Sequence, residues 1–407
     1  MSLNHAQTEA VAHNKGPCMV LAGPGSGKTL TIAKRIEYLI MKHKVRPEEI
    51  LVITFTKYAA WEMKNRTRSI CGPSSYAVTF GTFHGIYYGI LKWAYRLNQS
   101  NLLSDEEKYR ILREILPGID WDQEPEADEE KDYLQELAIE IGNVKNNCMD
   151  IEEYEPVKYT TEKFRKLYRT YEETKKKYRK IDFEDMLIQC RDLFMKRPDI
   201  LKKWQEKFQY ILVDEFQDVN QAQYDVVRML AAPQDNLFVV GDDDQSVYGF
   251  RGAKPGIMKE FMKDYPTARQ ILLDVNYRSS GYIVKGALRV IGNNKIRFEK
   301  KIEAFRKPDE TVHVQEVKDP VQEAEYVLER IREYREKGVS YTEMAVLYRT
   351  NVDARAMSEL MTEYQIPFVM KEHLNNIYEH FIALDMISYL RLSQGEYDRK
   401  YFLQIAN

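Results

Sequence analysis

The run Ala22-Gly23-Pro24-Gly25-Ser26-Gly27-Lys28-Thr29 constrains this chain more than any other stretch. It follows the apolar segment Cys18-Met19-Val20-Leu21 and opens an amphipathic one, Leu30 to Ile36. A glycine-rich turn between a buried strand and a helix is the setting a phosphate-binding loop requires. Glycines let backbone N–H groups converge on phosphate oxygens, and the helix N-terminus adds the positive end of its dipole. In that pattern Lys28 bridges the β- and γ-phosphates, and Thr29 supplies a hydroxyl to Mg²⁺. The first position is Ala22 where the strict pattern has Gly, so the match is to the relaxed form.

Further short apolar runs read as buried strands: Ile50 to Ile53, Tyr210 to Val213 and Leu237 to Val240, then Ile271 to Leu273, Val312 to Val314 and Met344 to Leu347. Strands alternating with helical stretches favour an α/β fold, and most of these runs end in polar clusters, where ligands sit in open parallel sheets. Between the two sets, roughly Leu91 to Lys180, strand-like runs are few and helix formers many. That stretch reads as a helical insertion. Its segment Lys163 to Lys180 holds nine basic residues against two acidic ones, a pattern that fits either a solvated helix face or a DNA-facing one. With 60 basic and 63 acidic residues the chain carries a net charge of -3, which excludes a generally basic coat but not a basic cleft. No apolar run approaches the ~18 residues of a membrane span. The four cysteines form no CxxC pair, as expected of buried thiols in a reducing cytoplasm.

A phosphate loop needs acidic partners, and Val213-Asp214-Glu215-Phe216-Gln217-Asp218 supplies them at a strand end. Asp214 is placed to hold Mg²⁺ and Glu215 to orient and deprotonate the attacking water. The residues alone therefore point to a nucleotide hydrolase.

Taken together, the motifs resemble the UvrD/PcrA/Rep type of superfamily 1 DNA helicase. Leu3-Asn4-His5-Ala6-Gln7 is similar to the family's adenine-reading motif, with Gln7 on the base. Ile53-Thr54-Phe55-Thr56 resembles a motif touching single-stranded DNA, although Lys57-Tyr58 replaces the usual Asn-Lys. Gly81-Thr82-Phe83-His84 resembles a second DNA-contact motif, and Ile181 to Leu187 the segment returning from the insertion. In Gly241 to Ala253 the resemblance implies that Gln245 senses the γ-phosphate while Tyr248, Phe250 and Arg251 face DNA, Phe250 standing where Trp is common. In Asn276-Tyr277-Arg278-Ser279-Ser280 it implies Tyr277 stacked on adenine and Arg278 acting as an arginine finger. Val346 to Asn351, followed by Arg355, resembles a further DNA-contact motif carrying Tyr348, Arg349, Asn351 and Arg355.

The resemblance implies two RecA-like α/β cores: residues 1–90 and 181–268 for the first, with 91–180 inserted, and 269–375 for part of the second. Residues 376–407 then begin a second helical insertion. It further implies ATP in the cleft between the cores and 3′-to-5′ movement on single-stranded DNA and at single-strand/duplex junctions, alongside repair or replication proteins. Neither a His…Lys-Gly…Glu run nor a Tyr-Val-Ala…Thr-Arg run occurs, so the expectation is a chain lacking the family's C-terminal motifs and inactive in unwinding. Two other readings fit these motifs: an ATPase subunit of a helicase–nuclease, and a non-catalytic nucleotide- or DNA-binding module.

Overall fold

The computed structural model describes residues 3–119, 130–247, 249, 252–254, 256–295, 297–307, 311–350, 352–370 and 381–406. The chain divides into two compact units, Met1–Val312 and His313–Asn407.

The first unit is built on a six-stranded sheet in the order β3-β2-β4-β5-β1-β6. Its strands are β1 (Cys18–Ala22), β2 (Ile50–Thr54), β3 (Thr79–Thr82), β4 (Tyr210–Val213), β5 (Leu237–Gly241) and β6 (Arg269–Leu273). Every pairing is parallel; Leu21, for instance, lies opposite Gly241 on one side and Leu272 on the other. β1, β2, β4 and β5 are buried along their whole length. Alternate residues feed two separate cores, with Met19, Leu21, Ile211 and Val213 on one face and Cys18, Val20, Tyr210 and Leu212 on the other. Helices cover both faces, which is why these strands read as continuous rather than alternating apolar runs. The α/β class is thus as the sequence indicates. One strand differs from the expectation: 269–273 is not the opening of a second core but the edge of the first sheet, paired with β1.

Four helices follow the early chain: α1 (His5–Ala12), α2 (Lys28–Met41), α3 (Lys57–Cys71) and α4 (Phe83–Tyr95). The insertion contributes α5 (Asp105–Ile115), α6 (Glu130–Asn146) and α7 (Thr161–Tyr178) around its own core, which includes Leu112, Leu137, Phe164, Leu167 and Tyr171. Its base is closed by backbone bonds from Leu103 N–H to Ile181 O (2.9 Å) and from Ile181 N–H to Asn101 O (2.8 Å). The core resumes with α8 (Phe183–Lys196), α9 (Pro198–Lys207), α10 (Gln221–Ala231), α11 (Ile257–Asp264) and α12 (Gly281–Ile291). A short parallel pair, β7 (Val275–Asn276) and β8 (Glu303–Ala304), brings the segment after α12 back beside Asn276.

The basic run on α7 is divided: Lys166, Arg169, Lys176, Lys177 and Arg179 are exposed, as a solvated face requires, while others are spent within the protein. Lys175 is buried, and with Lys145 of α6 it is paired to Asp182, Asp185 and Glu172. Burial opposes the charge on Lys145, but the surrounding carboxylates outweigh it and hold its pKa well above the usual value. Arg165 and Arg169 pair with Glu152, and Lys180 with Glu107.

In the second unit, α13 (Pro320–Glu336) and α14 (Ala354–Glu363) pack through Leu328, Ile331, Met361 and Ile366, followed by α15 (Phe381–Ser393) and α16 (Arg399–Ile405). The segments expected as strands at 312–314 and 344–347 join no ladder among the described residues. A parallel strand needs a neighbour to bond, and none is bonded to them among the described residues; Val314 and Leu347 are exposed. No helix among the described residues is long and apolar enough to cross a membrane.

Removing one partner from a buried ion cluster leaves uncompensated charge, so Lys175→Met should lower stability by about 3–5 kcal/mol. Arg169→Ala removes a solvent-exposed partner and should cost less than about 1 kcal/mol. Urea denaturation followed by circular dichroism distinguishes the two, and equal losses would show that the cluster carries no special weight.

Candidate nucleotide site and adjoining groove

β1 delivers the chain into the loop 23–27, and α2 starts at Lys28. Two glycines in the loop have left-handed backbone, Gly25 at φ 66° and Gly27 at φ 86°. A Cβ on Gly25 would lie 2.6 Å from the Cβ of Arg278, and one on Gly27 would lie 2.8 Å from Gln7 Nε2. Ser26 closes the turn by donating its hydroxyl to Gly23 O at 2.7 Å. The loop is also braced from two distant segments. Gln7 Nε2 donates to Ser26 O (2.9 Å), while its Oε1 accepts Asn4 N–H (3.1 Å) in a capping box. Asn276 Nδ2 donates to Pro24 O (2.7 Å), and Tyr277 N–H to Gly25 O (2.9 Å).

These contacts shape a cleft of about 720 Å³ that is lined by Gln7, Gly25 to Leu30, Glu215, Tyr277 and Arg278. Lys28, Thr29, Glu215 and Arg278 are thereby gathered at one place, as the motifs anticipate. Ala22, Gly23 and Pro24 shape the loop rather than line the cleft. Sequence reasoning missed Asn4, Arg66 and Phe305, which also line it. Asn4 Nδ2 donates to the Tyr277 hydroxyl at 2.9 Å, and the Phe305 and Tyr277 rings lie 5.1 Å apart. Phe305 stands outside any motif, so no local pattern announces it.

Lys28 Nζ meets Glu215 Oε2 at 2.7 Å. Glu215 sits in the left-handed region at φ 50°, a conformation that costs a non-glycine residue about 1–2 kcal/mol and that turns its side chain out of the strand exit. Asp214 is buried behind it, accepting Glu215 N–H at 3.1 Å. Burial, then the charge of Glu215, pushes the Asp214 carboxyl up to about 7. Asp214 itself does not line the cleft; a buried carboxylate with so little compensation suits a hard cation with oxygen ligands.

Gln245 does not line the cleft: its Nε2 donates to Asp242 Oδ2 at 2.6 Å. The three carboxylates Asp242, Asp243 and Asp244 converge closely enough to suggest a metal site, but Lys300, with its side chain fully buried, is paired to all three. Arg297 adds a two-point contact to Asp244 at 2.8 and 2.6 Å. The acidic group is thus largely offset by protein cations.

A groove of about 440 Å³ opens between the strand ends and the insertion, lined by Phe55 and His84 from the core, Ile139, Asn143 and Asn146 from α6, and Phe183. The His84 ring meets Phe183 edge-on at 5.8 Å, and burial lowers its pKa. Thr56 and Thr82 do not line this groove. Their hydroxyls cap α3 and α4, accepting Ala59 N–H (3.1 Å) and Gly85 N–H (3.2 Å). Tyr248, Phe250, Arg251 and Asn351 lie outside the described residues. Tyr348 and Arg349 belong to the second unit, where they line a separate groove with Met357 and Met361; Arg355 lies in α14 of that unit.

A glycine loop on β1, a carboxylate pair on the exit of β4 and a cation from beyond the sheet define a P-loop nucleotide-binding protein. Residues 3–266 match the UvrD/REP helicase N-terminal domain and residues 271–407 the UvrD-like helicase C-terminal domain. The chain belongs to the UvrD/REP helicase family. It is 38% identical to YjcD of Bacillus subtilis over 98% of its own length and 52% of that protein. It is 34% identical to the ATP-dependent DNA helicase PcrA of Staphylococcus aureus, over its whole length and 55% of the relative, and equally so to PcrA of Staphylococcus epidermidis, over 56%. The chain thus spans about half the length of the curated relatives it matches. The match at 271–407 overturns the expectation of an N-terminal part alone, because C-terminal domain sequence is present.

Gly25→Ala should weaken nucleotide binding ~5- to 30-fold, the equivalent of about 1–2 kcal/mol of left-handed strain. Gly16→Ala, also at positive φ but in open space away from the cleft, should leave it unchanged. Titration with a fluorescent ATP analogue measures both.

Proposed function

We propose that this chain is the ATP-hydrolysing part of a DNA motor, coupling turnover to 3′-to-5′ movement along single-stranded DNA and to unwinding at single-strand/duplex junctions. The observation that carries the proposal is the meeting of Lys28, Glu215 and Arg278 at one nucleotide-sized cleft. In this reading the triphosphate takes Lys28 from Glu215, because a polyphosphate offers the ammonium more negative oxygens than one carboxylate. Glu215 is then free to accept a proton from the attacking water. Arg278 stabilises charge on the transferring phosphoryl group, and Tyr277, with Gln7 behind it, receives the base. Thr29 and Asp214 would hold Mg²⁺, which neutralises phosphate charge when bound.

Phe55 and His84 offer the first unit's surface for a strand, with Thr56 and Thr82 at helix N-termini suited to phosphates. Tyr348, Arg349 and Arg355 offer the second unit's, and Tyr248, Phe250, Arg251 and Asn351 complete the set by their place in the motifs. Gln245, bonded to Asp242, would sense the γ-phosphate only after releasing that bond. The family's repair or replication roles and a cytoplasmic location belong to the same proposal.

Steady-state ATP hydrolysis with and without single-stranded DNA is the test, and turnover indifferent to DNA would count against the motor. Glu215→Gln should retain nucleotide binding and lose turnover by ~10²–10⁴-fold, since an amide cannot take the proton. The raised Asp214 pKa gives a pH signature. The ionised carboxylate is the metal-binding form, so Mg²⁺-dependent nucleotide affinity should be full above pH about 7 and fall as pH drops through it. The fall should approach tenfold per pH unit. Asp214→Asn should be weak and flat across the same range.

A further inference from the structure

Gln217 lies between the nucleotide cleft and the groove. It is 3% exposed, and both ends of its amide are bonded. Nε2 donates to Glu215 Oε2 at 2.9 Å and to Asp218 Oδ2 at 3.2 Å, while Oε1 accepts Asp242 N–H at 2.9 Å. Glu215 lines the nucleotide cleft beside Lys28; Asp218 lines the groove with Phe55 and His84. One planar amide therefore spans the wall between two cavities, with one N–H for each.

The oxygen end is fixed. Asp242 is held by Lys300 and Gln245, and a Cβ on Gly241 would stand 2.7 Å from Gln217 Oε1, so the amide has little room. It cannot flip without setting its NH₂ against the Asp242 N–H, donor against donor. What can change is the balance between the two carboxylates. With Lys28 paired to Glu215, the carboxylate shares its charge between a cation and the amide. Once phosphate draws Lys28 away, Glu215 leans on Gln217 alone among these partners, and the longer bond to Asp218 is the one that yields.

We infer that Gln217 is the positioning residue through which occupancy of the nucleotide cleft and occupancy of the groove influence each other. The identity of the two ligands rests on the function proposed above; the bridge itself rests on the three bonds. Linkage is reciprocal, so a change in DNA affinity on nucleotide binding must be matched by the same factor in nucleotide affinity on DNA binding.

The experiment uses the 407-residue chain, a fluorescein-labelled oligothymidylate read by anisotropy, and a non-hydrolysable ATP analogue with Mg²⁺. In the wild type the analogue should shift oligothymidylate affinity by ~5- to 150-fold, the usual range of coupling between sites. In Gln217→Met each ligand alone should bind within about threefold of wild type, while the mutual effect shrinks to less than ~2-fold. Gln217→Asn keeps a buried amide one methylene too short to bridge, and it serves if the Met variant does not fold. A merely structural role would lower both affinities and leave the linkage intact, which would overturn the inference. So would a wild type that binds both ligands independently. A wild type that binds neither would instead overturn the functional proposal.

Discussion

The contact between Lys28 Nζ and Glu215 Oε2 joins residues 187 positions apart, and the rest of the site is arranged around it. Only a sheet with β1 and β4 parallel and close, one strand between them, can bring a loop and a distant strand exit to 2.7 Å. Burial of both sheet faces holds that register, because slipping a strand by one residue would exchange the side chains feeding the two cores. The ion pair is also a resting arrangement. It keeps a part-buried lysine and a carboxylate satisfied by each other.

Charge is managed in the same way elsewhere in the first unit. Lys145 and Lys175 pair with Asp182, Asp185 and Glu172 where α6 and α7 meet α8, and Lys300 with Arg297 pairs with Asp242 to Asp244. Such clusters add little net stability over apolar packing, but breaking one is costly, so each fixes a single way for the segments to meet. A chain of net charge -3 can thus hold dense basic and acidic runs with part of each paired inside the protein. Asp214 and Asp218, at the exit of β4, have no such lysine partner among the described residues. Both are buried, and burial raises the pKa of each.

Much was legible because its chemistry is local. The glycine spacing, Lys28 and Thr29 require only a strand before and a helix after, and the acidic pair at 214–215 requires only a strand end. The residues that support them were not legible in this way. Asn276 and Gln7 act on the loop through single bonds across long sequence separations. Phe305 reaches Tyr277 only because β7 and β8 pair. Thr56 and Thr82 carry the motif positions but spend their hydroxyls on helix caps, a role any threonine before a helix can take.

By itself, then, the sequence determined the class of fold, the glycine loop, the carboxylate of Glu215 that meets it and the family, since these are patterns of neighbouring residues with fixed stereochemistry. The tertiary structure decided which sheet receives 269–273, that Lys175 of the basic run is spent on buried carboxylates, that Lys300 closes the acidic triplet, and that Gln217 bonds a lining residue of each cavity. Each of these depends on which distant segment lies alongside. Strand propensity is the same for either sheet, and a lysine's or glutamine's identity carries no address for its partner; only the packed chain supplies one.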